Sequence, residues 1–463
     1  MKIRTFAFFS ALSLSFLGHS AYGQTTLPDL IHYTLEHSRD VKKADLQCQE
    51  AEWMRKEIIG NGLPQAEASA SYSKMVIPDI SVPTDNILGM VDLMVNESVS
   101  EEVKTNMKNG ITGMLNTINN IDAMYSTSIG IQVTQLIYSQ SYWVGVKTAK
   151  KSQELYSILK TKSEEDVIAE VASDYYQAGS LMMQLQTVEK SLSNLKEMLR
   201  ITELSYQNDL VKETTVNRLK VTIANLEVTK QTIQNAIRIQ MNYIKAMAGM
   251  PSDTTFTVDT AAMINNFINN PLAIDFNVEN VSSYQMLLKQ DELYVQQIKL
   301  SQAKFYPTLA AFGKFSYSSY NTEPPIKDFS NMNTFGLSFS MPIFSSGSNY
   351  AKVKQAQIKR AELHEDIQKT KDLLSVSYSN ALLEYQTARN TLDAQKENRE
   401  LALKVYNQTV LQYQEGMASM ADLLNVNSDY LQADNSYNQQ ILKCKTAEIK
   451  MLQASGNMKS LAK

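Results

Sequence analysis

Thr334–Gly347, TFGLSFSMPIFSSG, is the stretch on which the fold turns. Phe335, Leu337, Phe339, Met341 and Ile343 fall on one side of an extended chain. Thr334, Gly336, Ser338 and Ser340 fall on the other, the period of two that marks a strand. One face is apolar and the other small and polar, which suits a sandwich or a barrel that faces lipid outside and water inside. The next stretch separates these. From Gly347 to Tyr413 there is no proline and one glycine in about 67 residues, enough for a helix roughly 100 Å long. No compact domain is that long, and the strand is expected to run into the helix without a break. The same unit occurs earlier, where Ile129, Ile131, Val133 and Ile137 alternate with Ser128, Gly130, Gln132 and Thr134 ahead of a helix predicted for 141–206. The chain is built twice.

Composition points the same way. Gly 16 and Pro 10 are few for 463 residues, and no proline lies between Thr84 and Met250, so helix should dominate. A net charge of -4 gives no electrostatic reason to expect nucleic acid as partner. The first residues carry Lys2 and Arg4, an apolar run from Phe6 to Leu17, and small residues at Ala21 and Gly23. They read as a secretory signal over 1–23, cleaved before Gln24. No later segment supplies about 18 uninterrupted apolar residues, so any membrane span after cleavage must be built from strands. Cys48 and Cys444 alone exclude a disulfide-rich scaffold and any zinc cluster made of cysteines.

The expected order is a first repeat over 24–250, a linker over 251–281, a second repeat over 282–455 and a tail over 456–463. In the first repeat a helix over 27–62 leads to a strand over 65–77. An excursion over 78–122 follows, holding one amphipathic helix and placed outside, over a barrel mouth. The long helix carries Leu181, Leu185, Val188, Leu192, Leu195 and Leu199 at alternating spacings of four and three, a coiled-coil seam. Beyond a turn at 207–213 the seam resumes at Val216, Leu219 and Ile223. The linker carries a helical patch at 261–268. The second repeat repeats the pattern, with a helix over 282–305, a strand over 307–320, a short loop containing Pro324 and Pro325, and a last helix over 418–454. In the first copy the short helices, about 35 and 36 residues, could stack end to end beside the long one. That geometry puts Cys48 and Cys444 too far apart to bond. Tyr138, Tyr142, Trp143 and Phe344 at the strand-to-helix junctions suit an interfacial aromatic belt. Four strands cannot close a membrane barrel, since the smallest use about eight, so the chain must associate, and three copies supply twelve strands.

Tyr413-Gln-Glu-Gly416-Met-Ala418-Ser-Met-Ala-Asp422-Leu-Leu-Asn425 resembles the tyrosine, glycine and aspartate pattern of the TolC family of outer-membrane efflux proteins. The first turn, Tyr206–Thr215, aligns with it at an offset of about 207 residues, and the resemblance covers essentially all of the mature chain. It implies a mainly α fold with a membrane β-barrel: duplicated long helical hairpins form an α-barrel tunnel, and four strands per protomer join a shared twelve-stranded barrel in a homotrimer. It also implies a passive exit duct in outer-membrane lipid, its tunnel in the periplasm. As part of a tripartite efflux pump or type I secretion system, the duct would be driven by an inner-membrane transporter through a periplasmic adaptor, with no cofactor. By the same resemblance Asp422, Asn425, Thr214, Thr215, Tyr413 and Ala418 surround the periplasmic entrance. Asn208, Asp209, Leu210, Glu415, Gly416 and Met417 form the tips that meet the adaptor. Ala418 stands where the family has an arginine, Asn425 where it has a second aspartate, Asp209 where it usually has glycine, and Thr215 where the prototype has an aspartate. Only Asp422 is retained, either as a ring of carboxylates or as a cap on its helix.

Two other readings compete. A periplasmic adaptor also carries a long helical hairpin, but one rather than two, and flanked by glycine-rich β-domains. An enzyme has little support: His32, His37 and His364 are the histidines after the signal, HYTLEH is not the His-Glu-x-x-His metal spacing, and no Gly-x-Ser-x-Gly occurs.

Overall fold

The computed structural model describes residues 24–76, 84–94, 99–119, 123–267, 274–322 and 327–462. The predicted signal segment 1–23, Pro324 and Pro325, and residues 77–83, 95–98 and 120–122 of the excursion lie outside the described residues, as does Ile268 of the predicted helical patch. In chain order the elements are β1 (Gln24–Thr25), α1 (Leu27–His37), α2 (Arg39–Gly60), β2 (Gln65–Val76), α3 (Thr84–Met94), α4 (Glu101–Asn119), β3 (Ala123–Ser139) and α5 (Gln140–Gln207). There follow α6 (Glu213–Ala248), β4 (Thr257–Val258), α7 (Thr260–Asn265), α8 (Ser282–Ala303), β5 (Thr308–Asn321), β6 (Ser330–Ser340), α9 (Ser348–Gln414) and α10 (Met420–Ser455). They fall into two units: Met1–Glu52, Lys151–Leu293 and Arg360–Lys463 form a helical unit, while Trp53–Lys150 and Tyr294–Lys359 form a sheet unit.

In the helical unit the first helix is not continuous. Ser38, with φ -55 and ψ 138, splits it into α1 and α2. The split falls at an end-on contact. Gly249 closes α6 at φ 70, and a Cβ there would come within 2.5 Å of the His37 carbonyl oxygen, so only glycine allows α6 to end against the start of α2. The second copy repeats the joint: Gly456 closes α10 at φ 71, its Cβ position 2.6 Å from the Asn280 carbonyl, beside Val281 at the start of α8. The end of α6 therefore abuts the joint between α1 and the 22-residue α2, and Leu30 and Ile31 of α1 pack with Ile244 and Ala248 of α6 in one core layer.

That layer includes the linker. Gln24 and Thr25 pair in parallel with Thr257 and Val258. Val258 and Met263 are buried in one core with Leu30 and Ile31 of α1, Val171 and Tyr175 of α5, and Met458 of the tail. A second core holds Val188, Leu192 and Leu195 of α5, Leu219 and Ile223 of α6, Tyr406 of α9, and Met420, Leu423 and Tyr430 of α10. The predicted seams thus meet in a four-helix layer, each buried Leu or Ile contributing about 1.5–3 kcal/mol. Between α5 and α8, Lys151 and Lys289 alternate with Glu154 and Glu292 in a closed square of ion pairs, 2.9 to 3.2 Å. Both cysteines are free. Cys444 is fully buried, and desolvation pushes its thiol up to about 11. Cys48 donates to the Tyr156 carbonyl at 3.3 Å.

In the sheet unit four antiparallel strands lie in the order β2-β3-β5-β6, so β2 and β6 each have a neighbour on one side only. The register sets Ala68 beside Ile131 and Ile131 beside Phe315, and it sets Ala311 beside Leu337 and Leu309 beside Phe339. These apolar side chains share one face. Phe335, Leu337 and Phe339 there are each more than 65% exposed, which is costly in water and favourable in lipid. Ser71, Ser128, Ser318 and Ser330 form a row on the other face. β3 passes directly into α5, but β6 does not pass directly into α9. The strand stops at Ser340, because Pro342 has no amide to continue a ladder, and the chain turns through Ser346 and Gly347 at φ 48 and 78 before α9 begins. Of the four belt aromatics, Tyr138, Trp143 and Phe344 are exposed, while Tyr142 donates to the Ile59 carbonyl at 3.3 Å and packs edge-on against Trp143. Among its described residues the excursion holds two helices rather than one. Leu115 of α4 is buried, and Val103, Met107 and Met114 are exposed. Among the described residues no helix is long and apolar enough to cross a membrane.

Candidate pore entrance and helical tips

Both hairpins of the helical unit turn by one backbone device. After α5, the amides of Asp209 and Leu210 return to the carbonyls of Tyr206 and Ser205, each at 2.9 Å. After α9, the amides of Gly416 and Met417 return to Tyr413 and Gln412 at 3.0 and 2.8 Å. This paired closure requires a left-handed residue, supplied by Asp209 at φ 60 and Gly416 at φ 77. Glycine takes that conformation freely, whereas aspartate pays a steric cost that its short polar side chain only reduces. Leu210 and Met417 follow at 76% and 69% exposure, although the residue at this place commonly packs back on its helix. Asn208 donates to the Leu204 carbonyl at 2.8 Å, and the Glu415 amide to Leu411 at 3.1 Å. All six tip residues are exposed, three on each tip.

The two returning helices start differently. On α10, Ser419 is the cap: its Oγ accepts from the Asp422 amide at 3.1 Å, and Asp422 Oδ2 accepts from the Ser419 amide at 3.1 Å and from its hydroxyl at 2.6 Å. This is a reciprocal capping box. The hydrogen bonds from the Ser419 side chain and amide hold the Asp422 carboxyl below the usual carboxylate range. On α6 the cap position holds Lys212, whose side chain makes no cap hydrogen bond, and Thr215 stands where α10 has Asp422. Asp422, Asn425 and Thr214 are exposed; Thr215 and Ala418 are half-buried. Asp422 and Asn425 lie three apart on α10 and share a face. Tyr413 is committed elsewhere, its hydroxyl 3.3 Å from Thr202 Oγ1 and its ring against the four-helix core.

Sequence reasoning missed a polar seam one residue away from the leucine seam of α5. Gln184 donates to Asn435 at 3.0 Å, Thr187 to Asp434 at 2.6 Å, and Ser191 to Asn427 at 2.9 Å, all across to α10. Asp434 is buried and also accepts from Asn438 and from Arg399. Further along α10, Lys445 is fully buried. It donates to Glu448 at 3.0 Å and to the Asn266 carbonyl, and it lies 4.2 Å from the Phe267 ring centroid. Burial pushes its ammonium below the ordinary lysine range. The spacing Ser180, Gln184, Thr187, Ser191 was the available signal, since it repeats every four and three residues as the leucines do.

Duplicated hairpins in one unit, and a four-stranded sheet with one apolar face in the other, make a fold that solved outer-membrane channels share. The Campylobacter jejuni outer-membrane channel CmeC has this fold, with a TM-score of 0.71 at 16% identity, over 96% of this chain and 90% of its own. So has the outer-membrane protein VceC of Vibrio cholerae, at 0.66 and 15%, over 93% and 96%. Residues 288–457 match the family described as outer membrane efflux protein. Outer membrane protein TolC of Salmonella enteritidis is 25% identical over 246 residues, 50% of this chain and 49% of its own. The TolC of Vibrio cholerae serotype O1 is 21% identical over 291 residues, 61% of this chain and 64% of its own. The chain therefore spans about half the length of the first of these curated relatives.

Proposed function

We propose that the protein is the outer-membrane channel-tunnel of a tripartite efflux pump or type I secretion system, an exit duct that works as a homotrimer. The observation that carries this is the sheet, with a lipid-suited face and two open edges, β2 and β6. Unpaired edges in a bilayer cost several kcal/mol per orphaned group, and three copies joined edge to edge leave none. The exposed tips at Leu210 and Met417 are the natural contact for a periplasmic adaptor linked to an inner-membrane transporter. Asp422, with Asn425, Thr214, Thr215 and Ala418 near it in the family pattern, lines the entrance; Tyr413 positions α9 against α5. Two full hairpins in one chain favour this reading over that of an adaptor. Native mass spectrometry of protein extracted from outer membranes with detergent tests it. A trimer is expected, and a monodisperse monomer that stays soluble without detergent contradicts it.

A further inference from the structure

The polar face of the sheet holds two charged side chains among the described residues of the four strands, Glu67 on β2 and Lys314 on β5. The register brings them to one row. Glu67 pairs with Gln132, Gln132 with Lys314, and Lys314 with Thr334. Both are exposed, and the neighbouring rows are uncharged: Ser69, Gly130, Ser316 and Met332 on one side, Gln65, Thr134, Phe312 and Gly336 on the other. The two charges stand two strands apart, about 10 Å at the usual strand spacing.

We infer that Glu67 and Lys314 form a charge-balanced collar inside the barrel and set the ion preference of that end of the duct. The inference rests on the trimeric reading. Three-fold symmetry then gives three carboxylates and three ammonium groups, alternating every second strand around the wall. Twelve strands tilted by about 40° make a backbone circle of radius about 12 Å, and the tilt offsets the Glu67 ring from the Lys314 ring by about 6 Å along the axis. That offset is below the Debye length of about 10 Å at 0.1 M salt, so the two rings act as one band of zero net charge. An ion near the axis meets little field. A solute at the wall meets a cation and an anion about 10 Å apart, an arrangement that favours zwitterionic or dipolar groups over simple ions of either sign. Removing one partner unmasks the other.

Reversal potentials of the purified protein in planar bilayers, under a gradient of about 0.1 M KCl, test the collar at a salt where screening still lets it act. Glu67→Gln should shift the potential toward anion preference, Lys314→Gln should shift it toward cation preference, and the double variant should return to the wild-type value. If wild type conducts and the single variants conduct with unchanged potentials, or if a single variant loses its channel and the double does not regain it, the collar is wrong. If the wild-type chain forms no channel, the duct reading itself fails.

Discussion

α6 and α10 are the same helix in two copies, 36 residues each and 207 residues apart, yet they live in different surroundings. α6 buries six residues, all apolar, and leaves Val221, Val228, Ile239 and Tyr243 exposed. α10 buries nineteen, including Asn427, Asp434, Asn438, Gln440, Lys445 and Glu448. The difference teaches that α10 is packed on several sides within its own protomer, whereas α6 completes its packing only if a neighbouring copy covers its outer face. Duplication preserved length and the left-handed glycine that closes each helix, Gly249 and Gly456; it preserved neither the N-terminal cap nor the environment.

The largest effect should come from the buried charge. Lys445→Ala takes the cation away from a buried Glu448 and should cost about 3–5 kcal/mol, whereas Arg238→Ala, at the matching exposed position of α6, should stay within about 0.5 kcal/mol. Thermal unfolding of the detergent-solubilised protein reads both, and equal losses would erase the contrast between the helices. Next come the tips. Gly416→Val forces a β-branched residue into the left-handed region and should cost about 1–2 kcal/mol and block export, while Asp209→Gly should gain about 0.4–1 kcal/mol. Stability measurements that place the two tips on the same footing would contradict the strain assigned to Asp209.

The capping box gives a smaller effect. Ser419→Ala should lose about 1 kcal/mol, and Lys212→Ser should gain a similar amount at the tip that lacks a box. Because Ser419 lowers the Asp422 pKa in the folded state, the stabilisation is fully present above the unfolded value. It is lost as pH falls through the depressed folded one. The melting difference between wild type and Asp422→Ala should therefore be flat from neutral pH to about pH 5 and shrink below about pH 4. A difference that instead grows on acidification would mean that the carboxyl is not held ionised by its cap.

The repeat, the seams, the strand alternation and the left-handed turn at Gly416 could be read from residue spacing, because each depends on local periodicity or on one residue type. The split at Ser38 could not, since it lies where Gly249, more than 200 residues away, comes against the chain. The buried Lys445 escaped for a related reason: its partners come from the linker, from Tyr176 of α5 and from one turn of its own helix. At the entrance, sequence pointed to Asp422 as either ring or cap. The cap is present in the fold, made through Oδ2, and it leaves the carboxylate exposed for the ring that three-fold assembly would form.

Planar-bilayer recording of the detergent-extracted protein, comparing wild type with Asp422→Asn, tests the duct most directly. The isosteric amide keeps an acceptor for Ser419 while removing the charge. The account predicts discrete channels with a modest cation preference that Asp422→Asn abolishes, with no more than the small loss of thermal stability that a weakened cap entails. Absence of channels, or unchanged selectivity together with a lowered melting temperature, would contradict it.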